Sequence, residues 1–143
     1  MKILIAEDDP VSALVLRRAL EREGHEVRLA VDGLAAWECV AQERPQILIS
    51  DWMMPGMDGP ELCRRVRATA NEADGYTYLI MLTAKAQDAD RDVAIAAGVD
   101  DFLTKPLNRL ELSARLRVAE RILAWQERVR RAGEELAESE VRY

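Results

Sequence analysis

Ile47-Leu48-Ile49-Ser50-Asp51-Trp52-Met53-Met54-Pro55-Gly56-Met57-Asp58-Gly59 is the stretch on which the fold turns. Its first four residues are almost wholly apolar, which predicts a strand covered on both faces, as in a parallel sheet. Asp51 ends that strand. Pro55 and Gly56 then bar regular continuation, so the chain must turn away over the strand end. In an open parallel α/β sheet, ligands bind in the crevice beyond the carboxyl ends of the strands. A carboxylate placed there is held at its base and exposed at its tip. The same position would suit an aspartate that merely caps a turn, so its meaning depends on what else converges on that edge.

Working outward, the chain alternates between two periodicities. Lys2 to Ala6 is an apolar strand candidate, followed by Glu7-Asp8-Asp9 and by Pro10, which fits the first position of a helix capped by Asp9. That helix is expected to turn Val11, Leu14, Val15 and Leu20 to a core and to stop near Gly24. Glu26 to Ala30 reads as a second strand, and Asp32-Gly33 opens a helix bearing Leu34, Trp37, Cys39 and Val40 that ends before Pro45. After the third strand come a helix over Gly59–Ala70, a polar loop to Thr77 and a fourth strand over Tyr78–Leu82 leading into Thr83-Ala84-Lys85. A helix from about Ala86 to Ala97, a short strand over Asp101–Thr104, Lys105-Pro106 and a last helix opened by Asn108 with Glu111 complete the series. Five strands alternating with five helices predict a doubly wound α/β fold with an all-parallel sheet. Trp37 and His25 read as packing and surface residues.

Composition narrows the class further. The chain has 143 residues, 49% hydrophobic and 32% charged, with a net charge of −6. That charge argues against direct nucleic-acid binding. No apolar run reaches the ~18 residues of a membrane span, and no secretory signal pattern is present, so a cytoplasmic location is expected. Two cysteines inside helical patterns and a single histidine suit a reducing compartment and disfavour a structural zinc site.

Four features fall at the same sheet edge: Glu7 and Asp8 after the first strand, Asp51 after the third, Thr83 after the fourth and Lys105 after the fifth. Clustered carboxylates repel one another, and a hard divalent cation relieves the conflict; all-oxygen ligands favour Mg²⁺. Lys105 adds a positive charge and Thr83 a hydroxyl. An exposed carboxylate nucleophile beside a metal, an ammonium and a hydroxyl describes phosphoryl transfer onto Asp51.

Residues 1–119 resemble the receiver domain of bacterial two-component response regulators. The resemblance is carried by Glu7-Asp8, the block from Asp51 to Gly59, Thr83-Ala84 and Lys105-Pro106, in that order. It implies a flavodoxin-like strand order of 2-1-3-4-5. It further implies that Asp51 accepts a phosphoryl group from a sensor histidine kinase or phosphotransfer protein, and that Asp8, Asp51 and the Met53 backbone carbonyl hold Mg²⁺ with Glu7 acting through water. By the same resemblance Lys105 pairs with the acyl phosphate and its peptide to Pro106 is cis, while Thr83 and the Ala84 N–H contact the phosphoryl oxygens. Phe102 stands where relatives keep a switching aromatic, often tyrosine, and Met53 and Lys85 flank the pocket mouth. Such a domain is a switch rather than a turnover enzyme. Two alternatives stay open: a Mg²⁺-dependent aspartate-nucleophile phosphatase, against which the absence of its loop pattern after the first strand counts, and a degenerate receiver serving only as a binding surface.

Residues 120–143 form a different object, a helical extension. Residues 1–112 carry 13 Lys and Arg against 20 Asp and Glu, whereas residues 113–143 carry 7 Arg against 6 Glu. Apolar residues recur at alternating gaps of four and three, at Val118, Ile122, Trp125, Val129, Ala132 and Leu136, the spacing of a coiled-coil seam. Two chains are expected to pair in parallel along it as a homodimer. Long helices of this kind resemble those that join receivers to output modules such as diguanylate cyclases, so the chain is expected to be either part of a longer regulator or a stand-alone receiver that dimerises.

Overall fold

A computed structural model describes residues 1–70, 75–84 and 88–141. The element order is β1 (Lys2–Ala6), α1 (Pro10–Arg22), β2 (Glu26–Ala30), α2 (Gly33–Glu43), β3 (Ile47–Asp51), α3 (Gly59–Ala68), β4 (Tyr78–Thr83), α4 (Asp88–Ala96), β5 (Asp101–Thr104) and α5 (Arg109–Val141). The strands form one parallel sheet in the order β2-β1-β3-β4-β5. Register is set by apolar pairing through the centre, where Ile3 and Ile5 pair with Ile47 and Ile49 on one face and Leu4 pairs with Leu48 on the other. A one-residue slip would exchange the two faces, which bind different helices.

Side-chain alternation divides the core in two. Ile3, Ile5, Ile47, Ile49 and Ile80 join Leu16 and Leu20 of α1 and Leu112, Leu116, Ala119 and Leu123 of α5. Leu4, Leu48, Leu79 and Met81 join Val40 of α2, Leu62 and Val66 of α3 and Ala94 of α4. Helices α1 and α5 therefore cover one face, and α2, α3 and α4 the other. The winding reverses between β1 and β3, and the crevice at that reversal opens at the carboxyl ends of those two strands.

Local chemistry starts each helix as the residues require. Asp9, Asp32 and Asp58 cap α1, α2 and α3 by accepting from the backbone N–H groups of Ser12, Ala35 and Glu61. Asn108 accepts from the N–H groups of Leu110 and Glu111 ahead of α5.

Four expectations change. In α1 the residues turned inward are Ala13, Leu16, Ala19 and Leu20, while Val11, Leu14 and Val15 are exposed. The sheet admits small alanines where the helix runs close, so the inward stripe lies about one residue round from the one that side-chain size suggested. For the same reason Ala36 and Val40 face inward in α2 and Leu34 does not. His25 is no surface residue: its side chain is 7% exposed, with Nε2 3.6 Å from Glu120 Oε1 of α5. Helix α3 ends at Ala68, two residues early. Helix α4 covers Asp88–Ala96, and its expected start near Ala86 lies outside the described residues.

The last helix runs 33 residues. Ile122 packs against the first core cluster and Leu123 is buried within it, so the helix stays on the domain beyond residue 119. Past that point Trp125, Val129 and Leu136 are exposed.

Candidate functional site

Asp51 is the last residue of β3, and its side chain is fixed from two sides. One carboxylate oxygen, Oδ1, accepts from the Trp52 N–H at 2.8 Å, and Oδ2 lies 3.0 Å from Lys105 Nζ. The Asp51–Gly59 loop folds back tightly, with the Gly59 N–H donating to Trp52 O at 2.8 Å. A Cβ on Gly59 would fall 2.4 Å from Asp51 O, so only glycine allows this return. Gly56 sits at φ 81°, the left-handed conformation its position in the turn demands. Met54 and Met57 anchor the loop in the core, while Met53 points outward at 72% exposure.

Glu7 leaves β1 with its side chain buried and its Oε1 3.4 Å from Lys105 Nζ. The other oxygen, Oε2, is buried and has no hydrogen-bond partner. Burial, and then the neighbouring Asp51 carboxylate, raise the Glu7 carboxyl to about 7. Burial opposes the charge on Lys105, but Asp51 and Glu7 outweigh it and hold the ammonium above its ordinary pKa. Asp8, the next residue, is exposed. Glu7, Asp8 and Asp51 each bring a carboxylate oxygen within 4.8 Å of the others.

Lys105 reaches the cluster because β5 ends one residue earlier and its N–H is held by Thr83 O at 2.8 Å. The Lys105–Pro106 peptide is cis. Thr83 is buried at the end of β4, and Ala84 is exposed just beyond it. Phe102 is half-buried on the α4 side of the sheet, with the Arg91 guanidinium 5.4 Å from its ring centre. The sheet therefore gathers Glu7, Asp8, Asp51, Thr83, Ala84 and Lys105 at one edge. Lys85 lies outside the described residues.

The glycine contacts at Gly59 and Gly33 were not legible from the sequence, because no local pattern tells which glycine a backbone will approach. A Cβ on Gly33 would meet Met57 O at 2.2 Å, so the start of α2 and the loop after Asp51 share that close approach.

The architecture defines a class: a flavodoxin-like sheet whose switch point gathers three carboxylates and a lysine. The chain belongs to the response regulator receiver domain family, which matches residues 3–117. Response regulator MprA of Mycobacterium leprae is 42% identical over 117 residues, covering 82% of this chain and 50% of the relative. The chain thus spans about half the length of the curated relatives it matches. Among solved structures, the receiver domain of the sensor histidine kinase PA1611 from Pseudomonas aeruginosa is 33% identical, with a TM-score of 0.74 over 86% of this chain and 97% of that one. That structure holds a magnesium ion coordinated in its active-site cleft. The BeF3-activated N-terminal receiver domain of Klebsiella pneumoniae RstA is 30% identical, with a TM-score of 0.75 over 83% of this chain and 97% of that one.

Proposed function

We propose that this chain is a phosphorylation-dependent switch that takes a phosphoryl group onto Asp51 from the phosphohistidine of a sensor kinase or phosphotransfer protein. The observation that carries the reading is the placement of Asp51: a strand-end carboxylate 3.0 Å from a lysine and within 4.8 Å of two further carboxylates. In the transfer, an Asp51 oxygen attacks phosphorus, the nitrogen–phosphorus bond breaks and the electron pair returns to the imidazole. The product is an acyl phosphate. Lys105 is within reach of its oxygens, and the Thr83 hydroxyl and Ala84 N–H are the next donors along the same edge.

The residues fit a hard divalent cation. An orphaned, buried Glu7 Oε2 beside two other carboxylates is a set of oxygen donors with more negative charge than Lys105 alone offsets. Asp8, Asp51 and the Met53 carbonyl would hold Mg²⁺, with Glu7 acting through water. Bound there, the ion neutralises charge that develops on the phosphoryl oxygens. Everything else falls to the chain: Glu7 and Lys105 orient Asp51, and the tight Asp51–Gly59 return keeps its carboxylate at the pocket mouth. The domain catalyses only its own phosphorylation and dephosphorylation, and acts in the cytoplasm; among the described residues no helix is long and apolar enough to cross a membrane.

Phe102 and Thr83 are the switching pair, and α5 carries the change outward to a second copy of the chain and to an output module beyond this sequence. Asp51→Asn tests the assignment. With acetyl phosphate and Mg²⁺ the wild type is expected to label on a single aspartate and the variant not at all, with circular dichroism unchanged. Full labelling of the variant would refute it, and turnover of phosphate esters by the wild type would favour a phosphatase.

A further inference from the structure

Within the projecting part of α5, Arg130 pairs with Glu127 and Glu134, and Arg131 pairs with Glu127. Those contacts run along the helix and use four of its charges. At the edge of the apolar stripe two others are left over. Among the described residues Arg128 and Glu135 have no ion pair, and both are exposed. They are opposite in sign and seven residues apart on one edge.

Their relation to the stripe decides what they can meet. With Ile122, Val129 and Leu136 at position a and Val118, Trp125 and Ala132 at position d of a heptad, Arg121, Arg128 and Glu135 occupy position g. Ala119, Gln126 and Gly133 occupy position e. In a parallel pair each g residue faces an e residue of the other helix. Arg121 would then face Gln126 and Arg128 would face Gly133, without any attraction. The layers would also stack Trp125 on Trp125 and Ala132 on Ala132, one overfilled and one underfilled.

Reversing one helix changes each of these. In an antiparallel pair g faces g and a packs against d, so Val129 meets Ala132 and Trp125 meets Leu136. Arg128 then meets Glu135 twice, once on each side of the two-fold axis. That axis passes between Val129 and Ala132. Leu123, the last core residue of the domain, lies about 11 Å from it along the helix at 1.5 Å per residue. The Leu123 residues of the two copies are then about 22 Å apart along the paired helices. A groove of about 1070 Å³ runs between this segment and the domain, lined by Pro45, Gln46, Tyr76, Leu123, Trp125 and Val129 among others. Leu136 of the other copy arrives beside Trp125, at the rim of that groove.

We propose that two copies of this chain pair through their C-terminal helices in the antiparallel sense, with Arg128 of each facing Glu135 of the other. This rests on the tail pairing given under the proposed function and reverses the direction that apolar spacing alone suggested. The occupant is a second copy because the unmatched charges of the stripe edge complement each other only across such a pair.

Two experiments on the full chain test it. In a Cys39→Ala background, Trp125→Cys and Leu136→Cys variants are oxidised separately and as a mixture. Linked dimer is expected in the mixture alone, since like positions lie about 16 Å apart along antiparallel helices. Linkage of Trp125→Cys to itself would overturn the orientation and leave the dimer reading intact. In the second experiment, which keeps the stripe whole, sedimentation compares wild type with Arg128→Glu, Glu135→Arg and the double variant. Each single change is expected to weaken dimerisation about 3- to 10-fold, and the double variant to return within about twofold of wild type. A double variant as weak as the singles overturns the proposal, as does rescue of Arg121→Glu instead of Arg128→Glu by Glu135→Arg. A wild type that stays monomeric overturns both the proposal and the dimer.

Discussion

At the carboxyl end of β1 one Glu7 oxygen faces Lys105 and the other faces no polar partner. Its carboxyl titrates at about 7, above the ordinary 4.5. The folded domain therefore binds this proton more tightly than the unfolded chain does. The resulting stability is fully present below about pH 4.5, falls as pH rises and is gone above about 7. Without divalent cations, unfolding free energy is expected to drop by about 1–3 kcal/mol across that window. Glu7→Gln should flatten the slope, and Mg²⁺ should offset it in the wild type, because the cation favours the ionised form. Denaturant titrations at pH 5 and 7.5 measure all three. Met53 supports a second expectation. Its thioether at the pocket mouth cannot orient an attacking water as a carboxamide can. Met53→Asn should shorten the lifetime of phosphorylated Asp51 about 3- to 10-fold, the scale of one added hydrogen bond. An unchanged or longer half-life in a phosphate-release assay would refute the role.

Among the elements, the junction of α3, β4 and the turn before β5 is held by one side chain. Arg67 of α3 donates to Gly98 O at 2.9 Å, Thr77 O at 2.8 Å, Tyr76 Oη at 2.7 Å and Asp100 Oδ2 at 2.8 Å. Its guanidinium also lies 4.3 Å from the centre of the Tyr76 ring. Asp100 in turn accepts from the Leu79 N–H at 2.8 Å. Arg67→Ala would leave two carbonyls and a carboxylate short of a donor at a half-buried site. A loss of about 2–4 kcal/mol is expected, with Arg67→Lys recovering less than half, since an ammonium cannot reproduce the planar fork. Chemical denaturation of the three proteins decides it. Nothing in the sequence announced this hub, because its partners lie 9 to 33 residues away and none belongs to a periodic pattern. The three central strands were legible for the opposite reason: a run of four or five largely apolar residues, ended by Glu7, Asp51 or Thr83, is a local signal. The shared edge of Asp51, Thr83 and Lys105 was legible because all three lie at strand ends, which local signals locate. The inward stripe of α1 was misjudged because valine and leucine outweighed alanine, although the close approach to the sheet favours the smaller residue.

For the molecule as a whole, the domain and its projecting helix share one element, and Leu123 marks where they part. A chain ending after residue 124 keeps that side chain in the core and should match the full chain in unfolding free energy within about 1 kcal/mol. Ending after 119 removes Ile122 and Leu123 from the core and should cost about 2–4 kcal/mol. Both shortened chains should still label on Asp51, the longer at the full rate. Past residue 124 the helix continues for 17 residues to Val141, about 25 Å at 1.5 Å per residue. That length makes it a lever arm. A tilt of the helix by about 5° carries the tip sideways by about 2 Å relative to Leu123. The projecting helix thus amplifies small rotations with no moving joint of its own, and its gain is set by the number of residues beyond Leu123.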